Sequence, residues 1–138
     1  MDEAKRDLVQ RWLIKAQRDL GTARKAASDP DPYFDTAIYH CQQAAEKAIK
    51  GFLVFRDQVF EKTHDIGLLL NLAICYDEGF SMWLDAGDRL TPYGIEFRYP
   101  GEVLEPDRDD FDWAQRAAEG IYDFVLSLLP RETHPAGV

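Results

Sequence analysis

The sequence is poor in positive charge, cysteine and long apolar runs. Its 138 residues carry 16 Lys and Arg against 25 Asp and Glu, a formal net charge of −9. Proteins that coat nucleic acid draw their affinity from clustered Lys and Arg, so this excess of acid argues against that class. The chain has only two cysteines, which excludes a small fold held together by several disulfides. No apolar run approaches the ~20 residues that cross a bilayer, and the charged first residues are unlike a signal peptide, so a cytoplasmic protein without membrane contact is expected.

The negative charge is concentrated in the second half of the chain. Residues 1–62 hold 11 basic and 10 acidic side chains, whereas residues 63–138 hold 5 and 15. Solvated helix faces produce such an asymmetry, and so does a surface that meets a basic partner. The asymmetry therefore concerns partners and does not define the fold.

Motifs for metals and phosphate-binding loops are absent. The histidines and cysteines have none of the short spacings that bring zinc ligands together; they are His40, Cys41, His64, Cys75 and His134. The acidic run from Asp107 to Asp112 lacks the Gly and Glu of a calcium loop, and helix capping explains it better. No glycine pattern matches a loop that cradles phosphate. The sequence therefore predicts no metal and no cofactor.

Apolar residues recur three or four positions apart in almost every segment, and no useful stretch alternates with a period of two. This pattern predicts an all-α domain over residues 1–129, with five helices in an up-and-down antiparallel bundle. The predicted helices are Asp2–Ala27, Tyr33–Phe55, His64–Tyr76, Ser81–Leu90 and Asp107–Leu129. Residues 93–105 are predicted to be irregular, and residues 130–138 are expected to form a disordered tail.

The second predicted helix separates apolar from polar side chains. At 100° per residue, its apolar residues fall in one arc about 100° wide; they are Phe34, Ala37, Cys41, Ala44, Ala45, Ala48, Phe52 and Phe55. A polar stripe beside this arc consists of His40, Gln43, Lys47 and Lys50. One interpretation is a half-exposed margin of the core with snorkelling lysines. The other is a strip that binds an anion or a protein partner.

Three separated sequence segments form a recognisable set: Tyr39–Lys50 (YHCQQAAEKAIK), Thr63–Ile66 (THDI) and Arg98–Pro100 (RYP). Together they resemble a HEPN domain, the "higher eukaryotes and prokaryotes nucleotide-binding" family. Their order and separation extend the resemblance over roughly residues 8–128. The resemblance implies a bundle of four or five helices that pairs as a homodimer. It also implies a minimal nucleotidyltransferase as a partner in a toxin–antitoxin-like system.

Many members of the family are metal-independent ribonucleases that use an Arg and a His separated by four to six residues. Arg98 is the candidate arginine, but Val103, Leu104 and Glu105 occupy the positions where the histidine is required. RNA cleavage without a metal needs an acid and a base, for which His is best suited at neutral pH. Glu102 or Glu105 would need a raised pKa to replace it. The incomplete motif favours a protein that binds without catalysis, and a ribonuclease with an atypical site is the alternative.

The resemblance and the polar stripe together define a candidate binding site. Its residues are His40, Gln43, Lys47, Lys50, His64, Asp65, Arg98 and Tyr99. Arg98 offers two N–H groups to phosphate oxygens, and Tyr99 or His64 can stack on a base. In the structural alternative, Arg98 pairs with a carboxylate at the edge of the core, such as Glu46, and His64 or Asp65 caps the third helix. A nucleotide-type ligand, a nucleotidyltransferase partner and a purely structural homodimer remain alternative functions at this point.

Overall fold

The computed structural model describes residues 1–95 and 105–136 of the chain. Its α-helices are α1 (Glu3–Ala26), α2 (Phe34–Phe55), α3 (Ile66–Ile74), α4 (Leu84–Leu90) and α5 (Arg108–Leu128). Short 3-10 helices cover Glu78–Trp83, Thr91–Gly94 and Arg131–Thr133. The described residues contain no β-strand, and the all-α fold predicted from the sequence is confirmed.

Helix α1 presents one apolar stripe to the core. Its buried residues recur at helical spacing and are Val9, Leu13, Ala16, Asp19, Leu20 and Ala23. The Asp2 side chain caps the helix by accepting a hydrogen bond from the Lys5 backbone N–H at 2.7 Å. Such a cap satisfies one of the backbone donors that a helix start leaves unpaired. The most extensive helix pair of the molecule is α1 with α2.

Helix α2 is the central element of the bundle. It packs against α1, α3, α5 and the 3-10 helix Thr91–Gly94. Small side chains at Ala44, Ala45, Ala48 and Gly51 allow its neighbours to approach closely. A Cβ at Gly51 would lie only 3.2 Å from the Cβ of Trp12 on α1. Because neighbours surround α2, it buries polar as well as apolar side chains.

The segment before α4 differs from the sequence-based expectation of one helix from Ser81 to Leu90. A 3-10 helix occupies Glu78–Trp83, and the α-helix begins at Leu84. The 3-10 helix places the Phe80 ring in the core between the rings of Phe52 and Phe124, with centroids 4.7 Å and 4.9 Å away. The segment therefore gains an aromatic core contact at the expense of α-helical geometry.

The acidic start of α5 is a helix cap, as the sequence predicted. The Asp107 side chain accepts a hydrogen bond from the Asp110 backbone N–H, and the Asp110 side chain accepts one from the Asp107 backbone N–H. This reciprocal pair is a capping box, a device that satisfies two free donors at once.

Residues 131–136 also differ from the expectation that residues 130–138 form a disordered tail. Residues Arg131–Thr133 form a 3-10 helix, and Thr133 is fully buried. Gln10 on α1 donates a hydrogen bond to the backbone carbonyl of His134 at 2.8 Å. These contacts hold the segment against α1, and the local sequence pattern did not reveal them because they depend on a residue more than a hundred positions away.

Two predicted site residues, Arg98 and Tyr99, lie outside the described residues, as does Glu102. Across residues 1–95 and 105–136, none of the helices combines the length and apolar character that a membrane span requires.

Candidate functional site

The polar side of α2 carries two clusters, each built around one carboxylate. We call the first the Asp19 cluster; it consists of Asp19, His40 and Lys47. We call the second the Glu46 cluster; it consists of Glu46, Lys50, His64, Gln42 and Gln43. Each cluster joins one acid to one lysine and one histidine, so each has more basic than acidic groups when its histidine is protonated.

The Asp19 cluster joins α1 to α2. One carboxylate oxygen of Asp19 lies 2.8 Å from His40 Nδ1, and the other accepts a hydrogen bond from Lys47 Nζ at 2.7 Å. His40 and Lys47 lie seven residues apart on α2, two turns along the same side of the helix. The Asp19 side chain is 10% exposed, whereas those of His40 and Lys47 are 25% and 23% exposed. A mostly buried acid thus holds two partly exposed bases at the α1–α2 junction.

The Glu46 cluster joins α2 to the connection that precedes α3. One oxygen of Glu46 accepts from Lys50 Nζ at 2.9 Å, and the other lies 2.8 Å from His64 Nδ1. The side chains of Glu46 and Lys50 are only 4% and 8% exposed, but that of His64 is 55% exposed. A buried ion pair therefore orients a histidine whose ring is open to solvent.

Gln42 extends the Glu46 cluster inside the protein. Its amide nitrogen donates to the His64 backbone carbonyl at 2.9 Å and to Glu46 Oε1 at 3.3 Å, and its amide oxygen accepts from Gln43 at 2.7 Å. A Cβ at Gly94 would lie 2.8 Å from the Gln42 Cδ, so the backbone at Gly94 packs directly on this amide. Apart from the exposed His64 ring, the cluster thus consists of buried polar groups that satisfy one another.

Lys50 also contacts two aromatic rings. Its Nζ lies 5.7 Å from the ring centroid of Trp12 and 5.9 Å from that of Phe60. A cation over an aromatic face gains electrostatic energy from the ring quadrupole, and the gain grows where water is excluded. These contacts, with the Glu46 carboxylate, explain how an ammonium group is accommodated at 8% side-chain exposure.

Cys41, the neighbour of His40 in the sequence, plays no part in either cluster. It is fully buried in the core. Burial raises the pKa of its thiol to about 12, and the negative charges of Glu119 and Asp19 act in the same direction. A thiol held in its protonated form is a poor nucleophile. The buried thiol of Cys41 and the adjacent His40, which is bonded to Asp19, therefore do not form a catalytic pair.

Comparison with known proteins places this helical arrangement in a family. The HEPN domain family model matches residues 9–128 of the sequence. The chain belongs to the HEPN family. This confirms the resemblance carried by the three sequence segments. No match is found among proteins with curated descriptions.

Two crystal structures resemble this HEPN domain over nearly their whole length. TT1696 from Thermus thermophilus is 28% identical, with a TM-score of 0.76; the match covers 89% of this chain and 99% of that chain. ST0689, described as an archaeal HEPN homologue, is 29% identical, with a TM-score of 0.68; the match covers 87% of this chain and 96% of that chain. The bundle is therefore a HEPN bundle in both sequence and backbone.

The structure divides the predicted polar stripe of this HEPN domain between the two clusters. His40 and Lys47 belong to the Asp19 cluster, and Gln43 and Lys50 belong to the Glu46 cluster. All four residues lie on the unbroken helix α2, as the sequence predicted. Their lysines are not free positive charges, because each is paired with a carboxylate.

Of the predicted residues beyond α2, His64 reaches the stripe and Asp65 has a capping role. His64 joins the Glu46 cluster through its Nδ1 atom. The Asp65 side chain accepts from the Leu68 backbone N–H at 3.1 Å and caps α3, as the structural alternative expected. Sequence reasoning did not assign Asp19 or Gln42 to the site. Their burial is what marks them as members of the site, because both are polar residues on helix faces that other helices of the bundle cover.

The exposed side chain of His64 can bind a ligand or transfer a proton. Residues 1–95 and 105–136 contain no group of three His, Cys, Asp or Glu side chains arranged to hold a metal ion. His64 has its Nδ1 on a buried carboxylate, which fixes the ring orientation and leaves Nε2 as its second donor or acceptor. The exposed ring of His64 is therefore the group of this site best placed to meet a ligand.

Proposed function

We propose that this HEPN-domain protein binds a nucleotide-type ligand at the Glu46 cluster and does not depend on RNA cleavage for its function. The observation that carries the proposal is the oriented His64 ring, whose side chain is 55% exposed while its Glu46 partner is 4% exposed. An exposed imidazole held in one orientation stacks on a base or, when protonated, donates to a phosphate oxygen without first losing rotamer freedom.

A partly exposed lysine on the same helix, α2, supports an anionic ligand. Lys47 uses one of its three N–H donors for Asp19, and its side chain remains 23% exposed. Gly94, which packs on Gln42, lies four positions before Arg98 in the chain. This adjacency favours assigning Arg98 and Tyr99 to the same site, with Arg98 gripping phosphate oxygens through its planar guanidinium.

A minimal nucleotidyltransferase partner in a toxin–antitoxin-like system remains a second proposal, which rests on the family resemblance.

A ribonuclease with an atypical site is a third candidate, favoured by one observation. His64 paired with buried Glu46 has the orientation of a general acid or base supported by a carboxylate. Against it, the chain has no histidine that is separated from Arg98 by four to six intervening residues.

Titration with fluorescently labelled ATP and GTP tests the binding proposal. The substitution His64→Ala removes the exposed imidazole and should weaken nucleotide binding by at least tenfold. This factor corresponds to about the free energy of one hydrogen bond to a charged group. His134→Ala is the matched control, because His134 contacts backbone carbonyls of Leu126 and Leu129 instead of α2. Thermal unfolding of both variants verifies that the fold is kept.

The same samples separate the alternatives. Equal affinity of wild type and His64→Ala for every nucleotide rejects the proposed site. Cleavage of labelled single-stranded RNA by wild type, lost in His64→Ala, establishes the ribonuclease instead. If no nucleotide binds and a co-expressed nucleotidyltransferase co-purifies, docking to that partner is the function; if neither associates, an assembly role is preferred.

A further inference from the structure

A groove lies on the surface where the connection after α2 meets α3 and α4. Its volume is about 690 Å³, and none of its lining residues belongs to the Asp19 cluster or the Glu46 cluster. We call it the α3–α4 groove. Its apolar side chains are those of Val59, Phe60, Leu68 and Leu72.

Every charged side chain that lines the α3–α4 groove is acidic. These side chains are those of Glu61, Asp65 and Asp88, and all three are exposed. None of them forms an ion pair within the described residues. The groove therefore presents three carboxylates without a cation from residues 1–95 or 105–136.

Gly67 allows two of these carboxylates to converge. A Cβ at Gly67 would lie 3.3 Å from Asp65 Oδ1 and closer still to Asp88 Oδ1. Both oxygens therefore lie over one point of α3, which is free because Gly67 has no side chain. Two negative charges at this separation repel each other, and a cation placed between them replaces the repulsion by attraction.

The basic residues next to these acids in the sequence do not neutralise the groove. Arg89 follows Asp88, but its guanidinium carbon lies 3.8 Å from the ring centroid of Trp113 on α5. Lys62 follows Glu61 but does not line the groove. The acidic second half of the sequence left open a surface that meets a basic partner. The α3–α4 groove is the place where the structure brings acids of that half together with apolar groups.

The apolar part of the groove is exposed and held in place. Val59 is 85% exposed and Leu68 is 48% exposed. The Gln58 backbone N–H donates to the Leu53 carbonyl at 2.9 Å, and the Tyr76 hydroxyl donates to the Gln58 side-chain oxygen at 2.6 Å. These hydrogen bonds fix the segment that carries Val59, so a partner loses little entropy in ordering it. Contiguous apolar groups with a charged rim are typical of an interaction site.

We propose that the α3–α4 groove docks a short segment of another protein in which a Lys or Arg is flanked by apolar residues. The cation lies between Asp65 and Asp88, and the apolar residues cover Val59 and Leu68. Complementary charge selects such a segment, and burial of apolar surface adds affinity. A nucleic acid would bring its phosphates against three carboxylates. A metal ion would leave the exposed apolar side chains of the groove uncovered.

This proposal goes beyond nucleotide binding and uses different side chains. The side chains of Glu61 and Asp88 have no hydrogen bond or ion pair within the described residues. They can therefore be neutralised without loss of a contact that holds the fold. Asp65 is left intact in every variant below, because its side chain caps α3.

Fluorescence anisotropy with a labelled peptide tests the proposal. The peptide is built from Leu and Lys so that the leucines share one face of a helix, and a second peptide carries Glu in place of Lys. Wild type should bind the Lys peptide and not the Glu peptide. The double variant Glu61→Gln, Asp88→Asn loses two of three attractive charges and should bind the Lys peptide at least tenfold more weakly. Leu68→Gln should also weaken binding, because it removes apolar contact area.

Two control variants match these changes. Asp7→Asn with Glu132→Gln neutralises two exposed acids outside the groove, so its net charge equals that of the groove variant. Met82→Gln replaces an apolar side chain that is 70% exposed and also lies outside the groove. Both controls should bind the Lys peptide as wild type does. Thermal unfolding of all variants verifies that the fold is kept.

Four results overturn the proposal. They are no binding of the Lys peptide, equal weakening by the groove variant and its control, spermidine binding as tight as that of the peptide, and a change in the protein's own mass in Glu61→Gln, Asp88→Asn. Equal weakening would indicate general attraction to an acidic protein, and spermidine would indicate a site for a small cation. A change of mass by light scattering would assign the groove to contact between copies of the chain.

Nucleotide titration of the same samples keeps this proposal apart from the nucleotide site. Unchanged nucleotide affinity in Glu61→Gln, Asp88→Asn, together with weakened peptide binding, shows two separate sites. Peptide binding that persists in His64→Ala, with no nucleotide bound by any sample, supports the α3–α4 groove and rejects the nucleotide site.

Discussion

The Asp19 and Glu46 clusters are built from the same residue types but differ in where the acid lies. Asp19 is on α1 while its lysine and histidine are on α2, so its hydrogen bonds cross between two helices. Glu46 and Lys50 are one turn apart on α2, and only the histidine comes from elsewhere in the chain. The first cluster therefore fastens helices together, and the second holds one exposed ring in place.

Burial strengthens this contrast. The acid–lysine pair of the Glu46 cluster is nearly inaccessible, at 4% and 8% side-chain exposure, while the lysine and histidine of the Asp19 cluster are each about one quarter exposed. A buried ion pair is sensitive to the loss of either partner, because the remaining charge cannot be hydrated. A partly exposed pair is less sensitive, because water can hydrate the charge that remains. Mutations of similar residues in the two clusters should therefore lower the free energy of unfolding by different amounts.

The largest expected effect is that of Glu46→Ala. It leaves the Lys50 ammonium buried without its counter-charge and removes the acceptor for His64. Urea unfolding should show a loss of about 3–5 kcal/mol. Glu119→Ala is the control, because its carboxylate is 41% exposed in a 3.5 Å pair with Arg24 and should cost under about 1 kcal/mol. Similar losses for the two variants would contradict the buried-pair interpretation.

Asp19→Ala should cost less, about 2 kcal/mol, because water reaches His40 and Lys47 once their acceptor is gone. Asp19→Asn, which keeps the size and one acceptor oxygen of the side chain, should recover part of that loss. Equilibrium unfolding in urea of both variants measures the difference. If Asp19→Ala destabilises the protein more than Glu46→Ala does, the comparison between the clusters is reversed.

The smallest expected effect is that of Gly94→Ala, which presses a methyl group onto the fully buried Gln42 amide. Overpacking at this contact should lower the melting temperature and cost about 1 kcal/mol. Gly21→Ala is the matched control: its nearest atom is 3.8 Å away and it lies inside α1, so it should stabilise the protein by about 0.5–1 kcal/mol. A neutral Gly94→Ala would show that Gln42 can move without cost.

Helical periodicity was sufficient to predict the fold. The five predicted helices correspond to α1–α5, and the acidic residues before α5 were correctly interpreted as a cap. The boundaries that differ most, at Ser81 and after Pro130, depend on contacts with distant segments. The Phe80 ring packs against Phe124, and His134 is held by Gln10. A local pattern does not contain this information.

The candidate site was less predictable, for a related reason. The wheel of α2 correctly separated a polar stripe from the apolar arc, but it could not show which helix covers the polar side. Gln42 and Glu46 are polar by sequence and buried in the structure because α2 has neighbours on nearly every side. The run of small residues beside them, Ala44, Ala45 and Ala48, was the sequence signal for such close packing.

The enclosed position of α2 has a consequence for the motions open to the protein. Helices at the edge of a bundle can open locally, and their amide protons then exchange with solvent without unfolding of the whole chain. Helix α2 packs against α1, α3 and α5, so it cannot unfold locally while the rest of the chain stays folded. Its amide protons should exchange last, at a rate set by global unfolding.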